Sequence, residues 1–169
     1  QKVTIDGANL RINAGFLNHY YNPIIYSSEK NIVQYFRNII TVKGEIEFLN
    51  KLSEELEKDN NLFEKFNWWG FSKVQEREDD IYIPYFERKN NNGYRKFYPD
   101  FIFWIRKGNE YKVLFVDPKG IKIGIGNAKY KIDGYKEYLE NINISYKGQN
   151  VKNELYLYNP DKPINFKGY

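Results

Sequence analysis

Two apolar runs, each carrying an acid at one end, constrain this chain more than any other stretch. Tyr98-Pro99-Asp100-Phe101-Ile102-Phe103-Trp104 and Val113-Leu114-Phe115-Val116-Asp117-Pro118-Lys119-Gly120 are separated by the polar segment Lys107-Gly108-Asn109-Glu110. Short apolar runs around a glycine-containing turn read as two buried strands joined by a tight hairpin. Asp100 opens the first strand and Asp117 closes the second, so antiparallel pairing across the Gly108 turn brings them side by side at one rim of a sheet. The period of two along a strand points Lys119 to the same face as Asp117.

This arrangement has a chemical use. Two carboxylates held close repel, and one protonates unless a cation lies between them. Mg2+ takes oxygen ligands and keeps several waters, so two aspartates suffice to hold it next to a phosphate, with Mn2+ able to substitute. Lys119 is then placed to orient or deprotonate a water, or to stabilise charge building up at phosphorus, while the ion polarises a phosphoryl oxygen. The expected reaction is hydrolysis of a phosphodiester.

Pro99-Asp100 followed by Asp117-Pro118-Lys119 resembles the PD-(D/E)XK nuclease signature, with Pro118 in the variable position. His19-Tyr20-Tyr21-Asn22-Pro23, Gly44-Glu45-Ile46-Glu47-Phe48-Leu49, Phe71-Ser72-Lys73 and Phe97 to Trp104 resemble the C-terminal endonuclease domain of helicase-containing restriction subunits of the type III kind. The likeness runs roughly from residue 19 to residue 140. It implies a restriction-endonuclease-like α/β fold with a mixed central sheet flanked by helices. It also implies a Mg2+-dependent DNA endonuclease acting on double-stranded DNA. The partners implied are a helicase/ATPase region of the same longer polypeptide and a methyltransferase/specificity subunit. The rival reading is a non-catalytic nuclease-fold module that binds DNA or a protein.

The remaining elements fit that order. Ile24-Ile25-Tyr26 reads as a short strand, and Ile32, Val33, Phe36, Ile39 and Ile40 have helical spacing after Ser27-Ser28-Glu29. A helix is predicted from Lys43 to Lys58, with Phe48, Leu49, Leu52 and Leu56 on one face. Glu45 falls in the middle of that apolar stripe and Glu47 on the opposite side. A carboxylate facing a core is costly without a partner, and the resemblance gives the first helix a Glu directed to the metal, so Glu45 joins Asp100, Asp117 and Lys119 as a catalytic candidate. The alternative for Glu45 is a first-turn acid that favours the helix dipole. Phe63, Phe66, Trp68, Trp69 and Phe71 read as a core-covering aromatic patch. Ser72 to Gln75 and Ile81 to Phe86 read as strands around the acidic turn Glu76 to Asp80. After Lys119 a helix is expected from Asn127 to Asn141, and then an alternating strand from Glu154 to Pro160. The domain reading takes residues 1–42 as a lead-in with a helix packed on the core, and 43–169 as the nuclease core with a covering tail.

Composition narrows the partners. From Glu87 to Lys131 there are eleven Lys and Arg against four Asp and Glu, although the whole chain carries only +4. Positive charge is thus concentrated where the two aspartates lie, as a surface approaching a polyanion requires; a solvated charged hairpin is the plainer alternative. Candidate DNA contacts are Arg88, Lys89, Arg95 and Lys96 around the polar turn, with Lys122, Lys129 and Lys131 beyond Lys119. The absence of cysteine excludes disulfides and thiolate metal sites. No apolar run is long enough to span a bilayer, and the start has no apolar signal region; a cytoplasmic location is expected. The chain also lacks Met, including at its start, and is expected to be cut from a longer polypeptide.

Overall fold

The computed structural model describes residues 2–5, 8–13, 19, 24–26, 40–88, 93–118 and 125–157. The chain divides into two compact units, Gln1–Glu64 and Lys65–Tyr169.

In the first unit, strands β1 (Lys2–Ile5), β2 (Ala8–Asn13) and β3 (Ile24–Tyr26) form an antiparallel sheet in that order. The described part of the expected lead-in thus forms a meander, and the Ile24–Tyr26 strand is present. The expected helix after Ser27 lies outside the described residues except for Ile40, which is buried. Helix α1 spans Lys43–Leu56 and buries Glu45, Leu49 and Leu52, the stripe that the 3.6-residue period anticipates. Glu47 stands apart from it, in an ion pair with Lys43 at 3.5 Å.

The second unit is built on a five-stranded mixed sheet. Strands β4 (Trp68–Lys73), β7 (Phe101–Lys107) and β8 (Glu110–Asp117) are antiparallel neighbours. Strand β10 (Gln149–Leu157) lies parallel to β8, and β9 (Ile144–Tyr146) closes the edge. A parallel neighbour needs a crossover connection, and α2 (Ile125–Tyr135), which runs into a π-turn at Lys136–Glu140, lies in that connection. Strands β5 (Ile83–Glu87) and β6 (Gly93–Phe97) pair with each other in a separate two-stranded sheet. The chain is thus mixed α/β with a mixed central sheet.

Three local readings needed correction. The strand expected at Ser72–Gln75 begins at Trp68 instead, inside the aromatic patch, because Trp68, Trp69 and Phe71 alternate across the sheet: Trp69 and Phe71 are buried and Trp68 is exposed. It pairs with β7 and not with β5, as the flanking acidic turn had suggested. That turn closes on itself, with the Asp79 carboxylate accepting the Gln75 backbone N–H at 2.7 Å. The final strand starts at Gln149, because Lys147 (φ 52°) and Gly148 (φ 75°) form a two-residue loop pairing it with β9, the positive-φ geometry that tight hairpins favour.

One face of the main sheet carries Ile102, Phe115 and Leu157 into a core with Val74, Ile83, Tyr85, Phe97 and Tyr135. The opposite face carries Phe101 and Phe103 beside Trp69 and Phe71, with Phe71 and Phe103 stacked at 5.0 Å. Gly134 lets α2 sit directly on β5: a Cβ there would lie 2.3 Å from the Pro84 carbonyl oxygen and 2.6 Å from Tyr85 Cβ. The Tyr135 hydroxyl donates to the Asn153 carbonyl at 2.6 Å and ties α2 to β10. No helix among the described residues is long and apolar enough to cross a membrane.

Gly134→Ala should lower stability by about 1–3 kcal/mol through overpacking, although alanine is the better helix former; thermal melts check the sign, and a raised midpoint would contradict the close approach. Burial pushes the Tyr135 hydroxyl up from 10.0 to about 12. A raised folded value means its contribution is complete below about pH 10 and is lost as pH rises toward 12. Alkaline unfolding curves should show that loss, and Tyr135→Phe should flatten it while costing about 1 kcal/mol at neutral pH.

Candidate metal-binding site at the strand rim

The hairpin predicted from sequence is present. Lys107 pairs with Glu110 across a two-residue loop in which Gly108 adopts φ 60°, and the ladder continues to Phe101 opposite Val116. A type II′ hairpin turn places glycine at that first loop position. Asp100 and Asp117 are each one residue beyond the last pair, so they are neighbours at one rim of the sheet. Backbone bonds hold both ends. The Asp100 carbonyl accepts the Val74 N–H at 2.9 Å, and Asp117 lies opposite Leu157 of β10. Pro99 and Pro118, which bracket the two acids, are fully buried; neither proline has an N–H to satisfy at the strand end.

Both carboxylates are buried, at 5% exposure each. Burial penalises the charged form, and so does a like charge nearby. Each acid is met by an ammonium from a different element. Lys73, at the end of β4, places Nζ 3.1 Å from Asp100 Oδ1. Lys131 of α2 places Nζ 3.4 Å from Asp117 Oδ2 and 4.0 Å from the centre of the Phe97 ring. Two acids and two amines therefore share the rim. Among the described residues no group of three or more His, Cys, Asp or Glu gathers as a metal cluster, so the oxygen donors here are a pair.

The other sequence candidates fall as follows. Glu45 is 2% exposed in the first turn of α1. Lys119, Lys89 and Lys122 lie outside the described residues. Arg88, Arg95, Lys96 and Lys129 are exposed, with Arg95 Nε 3.4 Å from Glu87 Oε2 and Lys96 Nζ 4.0 Å from the Tyr82 ring centre. Lys131, read from sequence as a DNA contact, reaches Asp117. Lys73 was given no role. Its signal was positional, since it ends a strand opposite Phe101, and this becomes visible only once β4 is known to pair with β7.

The family model described as YagJ family matches residues 36–155. The chain belongs to that family. The matched span contains α1, the five-stranded sheet except the last two residues of β10, both acids and both rim lysines. No curated protein and no solved structure matches the chain.

Removing one partner of a buried pair strands the other's charge, whereas exposed pairs contribute little. Lys73→Met should therefore cost at least about 2 kcal/mol, against less than about 1 kcal/mol for Lys152→Met, whose pair with Glu110 at 3.0 Å is exposed. Denaturant titrations of the two variants measure the difference; equal costs would remove the rim's claim to special electrostatics.

Proposed function

We propose that this chain is a metal-dependent DNA endonuclease domain of the PD-(D/E)XK type, belonging to a restriction enzyme that also carries a helicase/ATPase motor. The observation that supports it most is the pair of buried acids, Asp100 and Asp117, at neighbouring strand ends within the Pro-Asp and Asp-Pro-Lys strings. The mixed α/β architecture with a mixed central sheet is compatible with that reading.

The donor set fits Mg2+ or Mn2+. Both side chains offer hard oxygens, and a pair of carboxylates leaves coordination positions for water and phosphate. Asp100 and Asp117 would hold the ion, which supplies Lewis acidity toward a phosphoryl oxygen and acidifies a bound water. Lys73 and Lys131 place ammonium groups where a phosphate would approach, so they can offset the charge that develops during phosphodiester cleavage. Lys119 keeps the water-directed role that the Asp-Pro-Lys string assigns it. Glu45 enters on the resemblance alone. Double-stranded DNA is the proposed substrate, and a methyltransferase/specificity subunit the proposed reader of its sequence.

A second reading is favoured by the ion pairs themselves. Lys73 and Lys131 already balance the two acids, as in a nuclease-fold module that binds DNA without cutting it. Plasmid nicking in Mg2+ separates the two. The wild-type chain should convert supercoiled to nicked DNA, and Asp117→Asn should slow this by at least about a hundred-fold, the scale of losing an electrostatic anchor of the transition state, with an unchanged circular dichroism spectrum. Wild-type nicking by Asp117→Asn would discard the nuclease reading; duplex binding without any nicking would favour the module.

A further inference from the structure

The β5–β6 hairpin has an outer face unlike that of an ordinary solvated ribbon. Ile83, Tyr85 and Phe97 are buried, and strand alternation sends Pro84, Phe86, Tyr94 and Lys96 to the other side. The register places Phe86 opposite Tyr94 and Pro84 opposite Lys96. Tyr94 is 68% exposed, and Tyr82 and Phe86 are also exposed. The solvent side of a half-buried antiparallel ribbon normally carries polar residues, so a row of open rings points to a partner.

The rings are held in place. Phe86 and Tyr94 meet edge to face at 5.2 Å, and the Tyr138 hydroxyl donates to the Tyr94 hydroxyl oxygen at 3.4 Å. The Lys96 ammonium lies 4.0 Å from the Tyr82 ring centre, and Arg88 is exposed just past β5. The hairpin's one carboxylate among the described residues, Glu87, alternates to the side of Tyr85 and pairs with Arg95 at 3.4 Å. The outer face therefore combines aromatic rings with cations and carries no acid of its own strands.

We propose that this face binds single-stranded nucleic acid, with unpaired bases stacking on Tyr94 and Phe86 and phosphates meeting Lys96 and Arg88. Stacking on rings requires bases freed from a duplex, and ring platforms with flanking cations are tolerant of sequence. The proposal goes beyond duplex cleavage; it shares Arg88 and Lys96 with the DNA contacts expected from sequence but uses neither Asp100 nor Asp117, so it stands or falls without the metal.

The test is fluorescence anisotropy with the full chain in EDTA, using a labelled oligo-dT of about twelve nucleotides, within the usual site size for such surfaces. An abasic strand of the same length serves as the phosphate-only probe. Wild type should bind the dT strand more tightly than the abasic strand. Tyr94→Leu should weaken dT binding by about ten-fold or more, the effect of losing one stacked base, and leave abasic binding unchanged. Asp117→Asn should bind dT like wild type, which separates this result from the fate of the nuclease reading. Tyr94 is open to solvent, so its replacement leaves the fold intact, as a circular dichroism melt verifies. Equal affinity of Tyr94→Leu and wild type for dT, or equal affinity of wild type for the two strands, would overturn the proposal. A purely protein-binding face would give that second result.

Discussion

The structure depends on how two buried aspartates at adjacent strand ends are kept from repelling each other. A carboxylate at 5% exposure has lost most of its hydration, and a second one a strand away makes ionisation costlier still. The protein answers with Lys73 at 3.1 Å and Lys131 at 3.4 Å, drawn from an edge strand and from the crossover helix. This ties three elements to one rim. The antiparallel pairing of β4 with β7 delivers Lys73, the β7–β8 hairpin delivers both acids, and α2 delivers Lys131.

The same topology explains why α2 must lie close. A parallel β10 beside β8 requires a crossover, and the crossover helix packs on β5 through Gly134, where no side chain would fit. Tyr135 is then within reach of Asn153, and Lys131 within reach of both Phe97 and Asp117. A packing constraint thus sets the position of a charge. Both acids are already engaged by amines, so a divalent ion would compete with Lys73 and Lys131 for the carboxylate oxygens.

Much of this was legible in the residues themselves. The hairpin around Gly108 could be read because a two-residue turn and two apolar runs leave one register, and that register alone made Asp100 and Asp117 neighbours. The burial of Glu45 followed from its place among Leu49 and Leu52 on a helical face. Other features were hidden. Trp68, Trp69 and Phe71 looked like a patch because aromatic clustering masks alternation, and the start of β4 was missed with it. The pairing of β5 with β6 was obscured by an acidic segment that resembled a hairpin turn but closes locally through Asp79. The role of Lys73 was hidden because its positional signal depends on pairing with β7, which lies far along the chain.

The central claim is that Asp100 and Asp117 together hold a divalent ion. Titrating Mn2+ into the full chain, with the free-ion electron paramagnetic resonance signal as readout, tests it most directly. The account predicts saturable binding by the wild-type chain that is lost in Asp100→Asn and in Asp117→Asn but retained in Glu47→Gln. An absence of saturable binding, or binding that survives both aspartate substitutions, would contradict it.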